Sequence, residues 1–335
     1  MAIRVAINGF GRIGRLVLRS YMEAGRKDID FVAINDLGST QDNAHLLKYD
    51  SVHGRYPGEI TATDDSITVD GDTMKVLSER DPSKLPWKEL DIDIVFECTG
   101  IFNAKEKAMV HINTGAKRVL VSAPSAGADN TIVYGVNDDT LSSSDIIVSN
   151  ASCTTNCLSP VASVLNDSVG IVQGFMTTIH SYTGDQPTVD TLHSDLFRAR
   201  AAAVNMIPTS TGAAKAVGLV LPKLAGKLDG VSIRVPTPNV SLIDLTFNAG
   251  RATSIEEINE LMKTASEGKL KGILGYNDEK LVSSDYNHSP LSSTFDATGT
   301  KVIDGTLVRV VAWYDNEWGF SNRMSDTAIK IGKLI

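Results

Sequence analysis

The stretch that decides the fold runs from residue 2 to residue 36, AIRVAINGFGRIGRLVLRSYMEAGRKDIDFVAIND. "IRVAIN" is an apolar run of strand length. Ile13, Leu16, Val17, Ser20, Tyr21 and Ala24 then recur at helical spacing. Gly25 suits a helix C-terminus, and "FVAIND" reads as a second strand. The unit is βαβ. Inside it lies Gly9-x-Gly11-x-x-Gly14, which ends the first strand and opens the helix, while Asp36 closes the second strand. The glycines alone would only announce a tight turn, and Asp36 alone a solvated strand end. Strand, helix and acidic residue together form the context of a dinucleotide fingerprint. The glycines permit close backbone approach, and the helix N-terminus offers N–H groups and a positive dipole end to a pyrophosphate. Asp36 can accept bonds from ribose hydroxyls and would repel a 2′-phosphate, so the pattern favours NAD.

The chain around this unit has 335 residues, which suits two domains, with 42% hydrophobic and 21% charged residues. No apolar run reaches the roughly 18 residues of a membrane span. The N-terminus enters strand sequence without a basic segment or signal core. Three cysteines do not make a disulfide framework and fit a reduced cytoplasm. The net charge is −8 with scattered basic residues, which argues against nucleic acid as a partner. Further strands follow in the first half. "ITVD" and "MKVLSE" read as a hairpin around Asp70-Gly71, and "IDIVFECTG", "RVLVSAPS" and "DIIVSN" as sheet strands ending in small or polar residues. In an open α/β sheet ligands sit off the carboxyl ends of strands, which makes Thr99-Gly100, Ser122-Ala123 and Asn150-Ala151 candidate cofactor turns. Cys98 reads as a small hydrophobe within its strand.

"SNASCTTNCLSP", residues 149–160, places two cysteines four apart. Neither a metal site nor a C-x-x-C redox pair has this spacing. "DIIVSN" is a strand and "TTNCLSPVASVL" a helix, so Cys153 stands at the junction. There the helix dipole and orphan N–H groups stabilise a thiolate. One further cation would help lower its pKa. Cys157, a turn further in, reads as structural. A nucleophilic cysteine needs a base. Of six histidines, His180 alone follows a buried-looking run, "VQGFMTTIH"; on its own it reads as a structural histidine.

Anion signals come later. Thr209, Ser210, Thr211 and Gly212 precede an apolar helix, a composition that serves an anion cradle or simple capping. Arg198 and Arg200 lie in "LFRARAAA", and Arg234 lies inside an apolar strand, where it needs a partner such as a carboxylate or phosphate. "VSIRVP", "VSLIDLTFNA" and "TLVRVVAWYD" alternate as antiparallel strands do. Ser254 and Glu257 form a capping-box pattern, and the C-terminus reads as a long helix.

Taken together, "INGFGRIGR", "INDL", "SERDP", "FECTGIF", "SNASCTTNCL", "IHSYT", "RARAAA", "PTSTGAAKAV", "RVPTPNVSLIDL" and "WYDNEWGFSNRM" closely resemble the phosphorylating glyceraldehyde-3-phosphate dehydrogenase family, in its order and over essentially the whole chain. The resemblance implies an α/β fold: an N-terminal Rossmann-type doubly wound sheet, residues 1–151, completed by a C-terminal helix, 317–335. An α+β catalytic domain with a mostly antiparallel sheet occupies 152–316. It implies oxidation of D-glyceraldehyde 3-phosphate with NAD and inorganic phosphate to 1,3-bisphosphoglycerate. Cys153 would carry the thiohemiacetal and thioester, and His180 would act as base. Besides Gly9, Gly11 and Gly14, the residues matched to NAD binding are Arg12, Ile13, Asp36, Arg80 and Ser122, with Asn316 on the nicotinamide carboxamide. Thr183 and Arg234 match the site for the substrate's C3 phosphate. Ser152, Thr154, Thr211, Gly212 and Arg198 match that for the attacking phosphate. No metal is implied. The family is homotetrameric, with the loop around residues 183–205 packed near a neighbour's cofactor.

Two departures stand out. Phe320 replaces the usual tyrosine of "WGYS", and Thr191-Leu192 stand where NAD-specific members commonly carry Leu-Pro. NAD preference, with NADP as the lesser cofactor, is the expectation. The rivals are erythrose-4-phosphate dehydrogenase, which hydrolyses its thioester, a semialdehyde or acyl-phosphate reductase, and a non-catalytic NAD-binding scaffold. Thr211 and Arg198 favour the phosphorylating enzyme over the first, the "SYTGDQ" to "RARAAA" segment over the second, and intact Cys153 and His180 over the third.

Overall fold

The computed structural model describes residues 2–335. The chain divides into two compact units, one formed by residues through Ile132 with Asp138–Ala151 and Ser321–Ile335, the other by Val133–Asn137 and Ser152–Phe320.

The first unit is built on β1 (Ile3–Asn8), helix α1 (Arg12–Glu23) and β2 (Ile29–Asn35), with the two strands parallel. Leu16, Val17, Ser20 and Tyr21 are buried as the helical spacing predicts, and Gly25, at φ +64°, ends the helix. After α2 (Thr40–Lys48) comes a two-stranded ribbon of β3 (Tyr49–Asp50) and β4 (Gly54–Arg55). β5 (Ile60–Ala62), β6 (Ser66–Val69) and β7 (Asp72–Leu77) extend the main sheet. Asp70 and Gly71 both have positive φ, the conformation of a tight hairpin turn. On the other side stand β8 (Ile94–Glu97), β9 (Arg118–Val121), β10 (Asn130–Thr131) and β11 (Ile147–Ser149), with α3 (Lys105–Asn113) between β8 and β9. The order is β10-β11-β9-β8-β1-β2-β7-β6-β5, parallel from β10 to β7. Both faces of the central strands are covered, so β8 and β11 are buried throughout. Cys98 corrects its reading: β8 ends at Glu97, and the half-buried thiol bonds Ser122. Burial pushes this thiol up to about 12.

The second unit opens on α4 (Cys153–Ser168) and β12 (Ile171–Ser181), followed by β13 (Ile207–Ser210), α5 (Ala213–Val220), β14 (Leu228–Val235) and β15 (Ser241–Ala249). Next come α6 (Ile255–Glu267), β16 (Leu274–Asn277), β17 (Ser293–Asp296), β18 (Lys301–Ile303) and β19 (Leu307–Tyr314). The sheet runs β13-β14-β12-β15-β19-β17-β16, mostly antiparallel, with β12–β14 and β16–β17 parallel. Alternate residues of β15, among them Ile243, Leu245 and Phe247, join α4, α5 and α6 in one core. The capping box of α6 is only half made. Ser254 Oγ accepts from the Glu257 N–H at 3.2 Å, but the Glu257 carboxylate turns to Arg251 and Thr253, where it finds a cation. Helix α7 (Trp318–Gly332) ends the chain, its residues from Ser321 onward belonging to the first unit. No helix among the described residues is long and apolar enough to cross a membrane.

Candidate functional site

In the first unit the turn after β1 is shaped by two of its three glycines. Gly9 has φ +92°, and a Cβ there would lie 2.7 Å from the Thr99 nitrogen; a Cβ on Gly14 would lie 2.2 Å from the Gly9 carbonyl. Gly11 differs. Its φ is −70°, and a Cβ would meet nothing within 4 Å. The fold does not need glycine at position 11, so the open space beside it suits a ligand approaching the backbone. Gly11 caps α1 without a side-chain bond. Asp36 ties the turn to the end of β2: Oδ2 accepts from the Phe10 N–H at 2.8 Å and Oδ1 from the Gly38 N–H at 2.9 Å. Each oxygen keeps a lone pair for a ribose hydroxyl. Arg12 pairs with Asp50 and Ile13 is half-buried beside it in sequence. Arg80 is exposed past the end of β7, and Ser122 follows β9. The donors and the space fit a dinucleotide.

In the second unit Ser152 caps α4, its hydroxyl accepting from the Thr155 N–H at 3.0 Å. Ala151, at φ +56°, makes the preceding turn, a conformation few non-glycine residues adopt. The Cys153 Sγ stands 3.6 Å from His180 Nε2. His180 Nδ1 lies 2.7 Å from the Ser181 carbonyl, which only accepts, and 3.2 Å from Arg234 Nη1, which only donates. The shorter carbonyl contact, with Nη1 already given to the Ser181 carbonyl and Thr183, assigns the proton to Nδ1 and leaves Nε2 as acceptor toward the thiol. The register of parallel β12 and β14 sets Arg234 directly opposite His180. Arg234 Nη1 donates to the Ser181 carbonyl and to Thr183 Oγ1, both at 3.0 Å, and its buried Nε has no partner. Within the chain the strand arginine holds a carbonyl and a hydroxyl rather than a carboxylate, and its remaining donors stay available to an anion. Thr183 donates to Asp185, which also takes Arg198 Nη1 at 2.8 Å, while Arg198 Nε donates to Thr209 at 3.0 Å. One carboxylate thus links two guanidinium groups.

Burial, then the Arg234 charge, pulls His180 from 6.5 to about 3. Burial likewise pushes the Cys153 thiol above its usual value, against Arg234, the Thr154 hydroxyl and the N–H groups of Thr154 and Cys153. The sequence reading expected a lowered thiol; the cation and the helix start are present, but desolvation outweighs them. Neither charge is favoured singly. Formed together at 3.6 Å, thiolate and imidazolium attract by roughly 4–5 kcal/mol at an effective dielectric of 20. The arrangement suits proton transfer within the pair. Cys157 is buried and bonded to Ser293 at 3.3 Å, as a structural cysteine should be.

Thr154 Oγ1 and Thr178 Oγ1 meet the Tyr314 hydroxyl at 2.8 and 2.9 Å, and the Tyr314 ring stands edge-on to His180. Thr155 Oγ1 donates to the Ala213 carbonyl at 3.4 Å, so the starts of α4 and α5 are neighbours, bringing Ser152 and Thr154 toward Thr211 and Gly212. Thr211 Oγ1 accepts from the Ala213 N–H at 3.2 Å, and a Cβ on Gly212 would meet nothing. Asn316 is buried, its Oδ1 accepting from Ser181 and Ser241, both at 2.9 Å, which leaves Nδ2 as the outward donor. Sequence reasoning missed Asp185, Tyr314, Ser181 and Ser241. Only Asp185, two residues past Thr183 in "SYTGDQ", carried a signal.

A dinucleotide turn and a cysteine–histidine pair on one chain fit a nucleotide-dependent oxidoreductase. Two family models match, described as the NAD-binding domain of glyceraldehyde 3-phosphate dehydrogenase, over residues 3–105, and the C-terminal domain of that enzyme, over residues 152–316. The glyceraldehyde-3-phosphate dehydrogenase of Xanthobacter flavus is 67% identical over 334 residues, and that of Cereibacter sphaeroides 65% over 335, each covering 100% of both chains. The enzyme of that name from Zymomonas mobilis is 58% identical over 337 residues. The chain belongs to the glyceraldehyde-3-phosphate dehydrogenase family.

Proposed function

We propose that the protein oxidises D-glyceraldehyde 3-phosphate with NAD and inorganic phosphate to 1,3-bisphosphoglycerate, in glycolysis or its reversal. The observation that carries the reading is the contact of Cys153 Sγ with His180 Nε2, beside Arg234. His180 takes the thiol proton as the sulfur attacks the aldehyde carbon. His180, now protonated, donates to the oxygen of the thiohemiacetal, joined by the N–H groups at the start of α4. NAD, when bound, supplies the hydride acceptor that turns the thiohemiacetal into a thioester. Arg234 and Thr183 bind the C3 phosphate. Arg198, Thr211, Gly212, Ser152 and Thr154 receive the attacking phosphate, whose oxygen displaces Cys153 from the acyl carbon. In the first unit Gly9, Gly11, Arg12, Ile13, Gly14, Asp36, Arg80 and Ser122 hold the cofactor, and Asn316 Nδ2 donates to the carboxamide oxygen. Asp36 makes NAD the preferred form over NADP. The first unit, which differs from the expected 1–151 with 317–335 at residues 133–137 and 317–320, is the cofactor domain, and the second unit, near the expected 152–316, the catalytic domain.

The segment 189–206 exposes Val189, Leu192, Leu196, Phe197, Val204 and Met206, and the sheet exposes Phe175 and Val231. Apolar area on this scale calls for a cover, and other copies of the chain supply it in a homotetramer. A nucleophilic thiol is kept reduced in a cytoplasm.

The test follows NADH formation from glyceraldehyde 3-phosphate and NAD, with phosphate and without. Sustained turnover should need phosphate. Turnover indifferent to phosphate would mean hydrolysis and overturn the phosphorylating reading.

A further inference from the structure

Glu97 lies at the end of β8, fully buried, and takes no part in the chemistry above. Its Oε2 accepts from Asn8 Nδ2 at 2.7 Å and faces His111 Nε2 at 3.0 Å. Its Oε1 accepts from the Thr99 backbone N–H at 2.8 Å and from the Thr99 hydroxyl. The Trp87 indole N–H, which can only donate, lies 3.0 Å from His111 Nδ1. That nitrogen is therefore the acceptor, and the ring proton sits on Nε2, aimed at Glu97. Asn8 is held in turn by Asn35, whose Nδ2 donates to Asn8 Oδ1 at 2.8 Å. Asn35 also bonds the backbone of Glu79 in both directions, each at 2.9 Å. The network ties together the ends of β1, β2 and β8, the segment after β7, and α3.

A carboxylate taken out of water costs several kcal/mol unless partners replace the water. Four donors do so here, yet packed apolar groups of the same volume would serve stability as well or better. They could not hold Thr99 and Asn8 from one point. These two residues flank the dinucleotide turn. Gly9 follows Asn8, and a Cβ on Gly9 would sit 2.7 Å from the Thr99 nitrogen. Both walls of the turn hang on the same carboxylate.

We propose that Glu97 is a positioning residue for the dinucleotide. Held by His111 and Trp87, its carboxylate sets the spacing between the turn at residues 9–14 and the turn at 99–100. The inference rests on the reading of Gly9–Gly14 as the NAD turn. Glu97→Gln keeps the shape but sets an NH2 against groups that are themselves donors. Calorimetric titration of NAD into the full chain is the test. For Glu97→Gln the Kd should rise about tenfold, from the loss of a charged acceptor. The kcat at saturating NAD should fall far less, and iodoacetate labelling of Cys153 should keep its rate. Thr99→Val, which removes one hydroxyl donor, should raise the Kd roughly threefold. A Glu97→Gln protein with wild-type Kd and a lowered Tm would make the carboxylate purely structural and overturn the inference. Where Glu97→Gln does not fold, a wild-type Kd for Thr99→Val overturns it. Failure of the wild-type chain to bind NAD would instead refute the underlying reading, which separates the two failures.

Discussion

The chain buries two histidines and uses them in opposite ways. His111, in the first unit, is 0% exposed and His180, in the second, 4%. Both rings have neighbours at both nitrogens. His111 receives an indole N–H on Nδ1 and gives its proton to a carboxylate, so every site on the ring is spent. His180 gives its Nδ1 proton to a carbonyl and points Nε2 at a thiol, with Arg234 opposite. A carboxylate faces the His111 ring, whereas the guanidinium beside His180 repels a charge on that ring, which burial already disfavours. Burial alone therefore does not mark a catalytic histidine. The sign of the neighbouring charge, and whether Nε2 faces an acceptor or a nucleophile, separate the structural ring from the base.

The sharpest break of this contrast is at the sulfur. Cys153→Ser should lower kcat by about 10⁴-fold or more, since a serine hydroxyl is a far weaker nucleophile near neutral pH. Cys157→Ser should stay within a few-fold, and NADH assays decide. His180→Asn should cost about 10²–10⁴-fold in kcat, the usual loss of a general base, with Tm changed by only a few degrees. His111→Ala should invert that pattern. It strips a donor from a buried carboxylate, so a loss of about 3–5 kcal/mol is expected by urea unfolding, while the folded fraction keeps its kcat at saturating NAD. If His111→Ala lost activity without stability, the contrast would fail.

The pH dependence sharpens the same point. With a folded pKa of about 3 against about 6.5 unfolded, His180 binds its proton more readily in the unfolded chain. Its contribution is full above pH 6.5 and is lost as pH falls toward 3, by a few kcal/mol. His180→Asn should flatten that part of the stability curve, measured by urea midpoints between pH 4 and 7. The smallest effect should come from the glycines. Gly11→Ala should leave stability within about 0.5 kcal/mol and weaken NAD binding, whereas Gly14→Ala, driven into the Gly9 carbonyl, should lower Tm measurably.

Much of the site was legible in one dimension. The βαβ unit, the strand-to-helix junction at Cys153, the hydroxyl-rich start of α5 and an arginine inside an apolar strand all follow from periodicity and local chemistry. What escaped was long-range. Tyr314 meets Thr154 and Thr178 because three separate elements converge. His111 sits in "KEKAMVHIN", where no local pattern announces its burial. The capping box of α6 gave way to Arg251, six residues before Glu257, a competitor that spacing rules do not weigh.

The sequence by itself determined the two-unit α/β plan, the dinucleotide turn and the candidate nucleophile, because these depend on backbone geometry and on neighbours within a few residues; His180 entered as base only through the family resemblance. Only the tertiary structure decided their protonation. Desolvation and the Arg234 charge hold His180 neutral, and Glu97 keeps its four donors, through contacts that sheet register and chain reversal create between residues far apart in sequence.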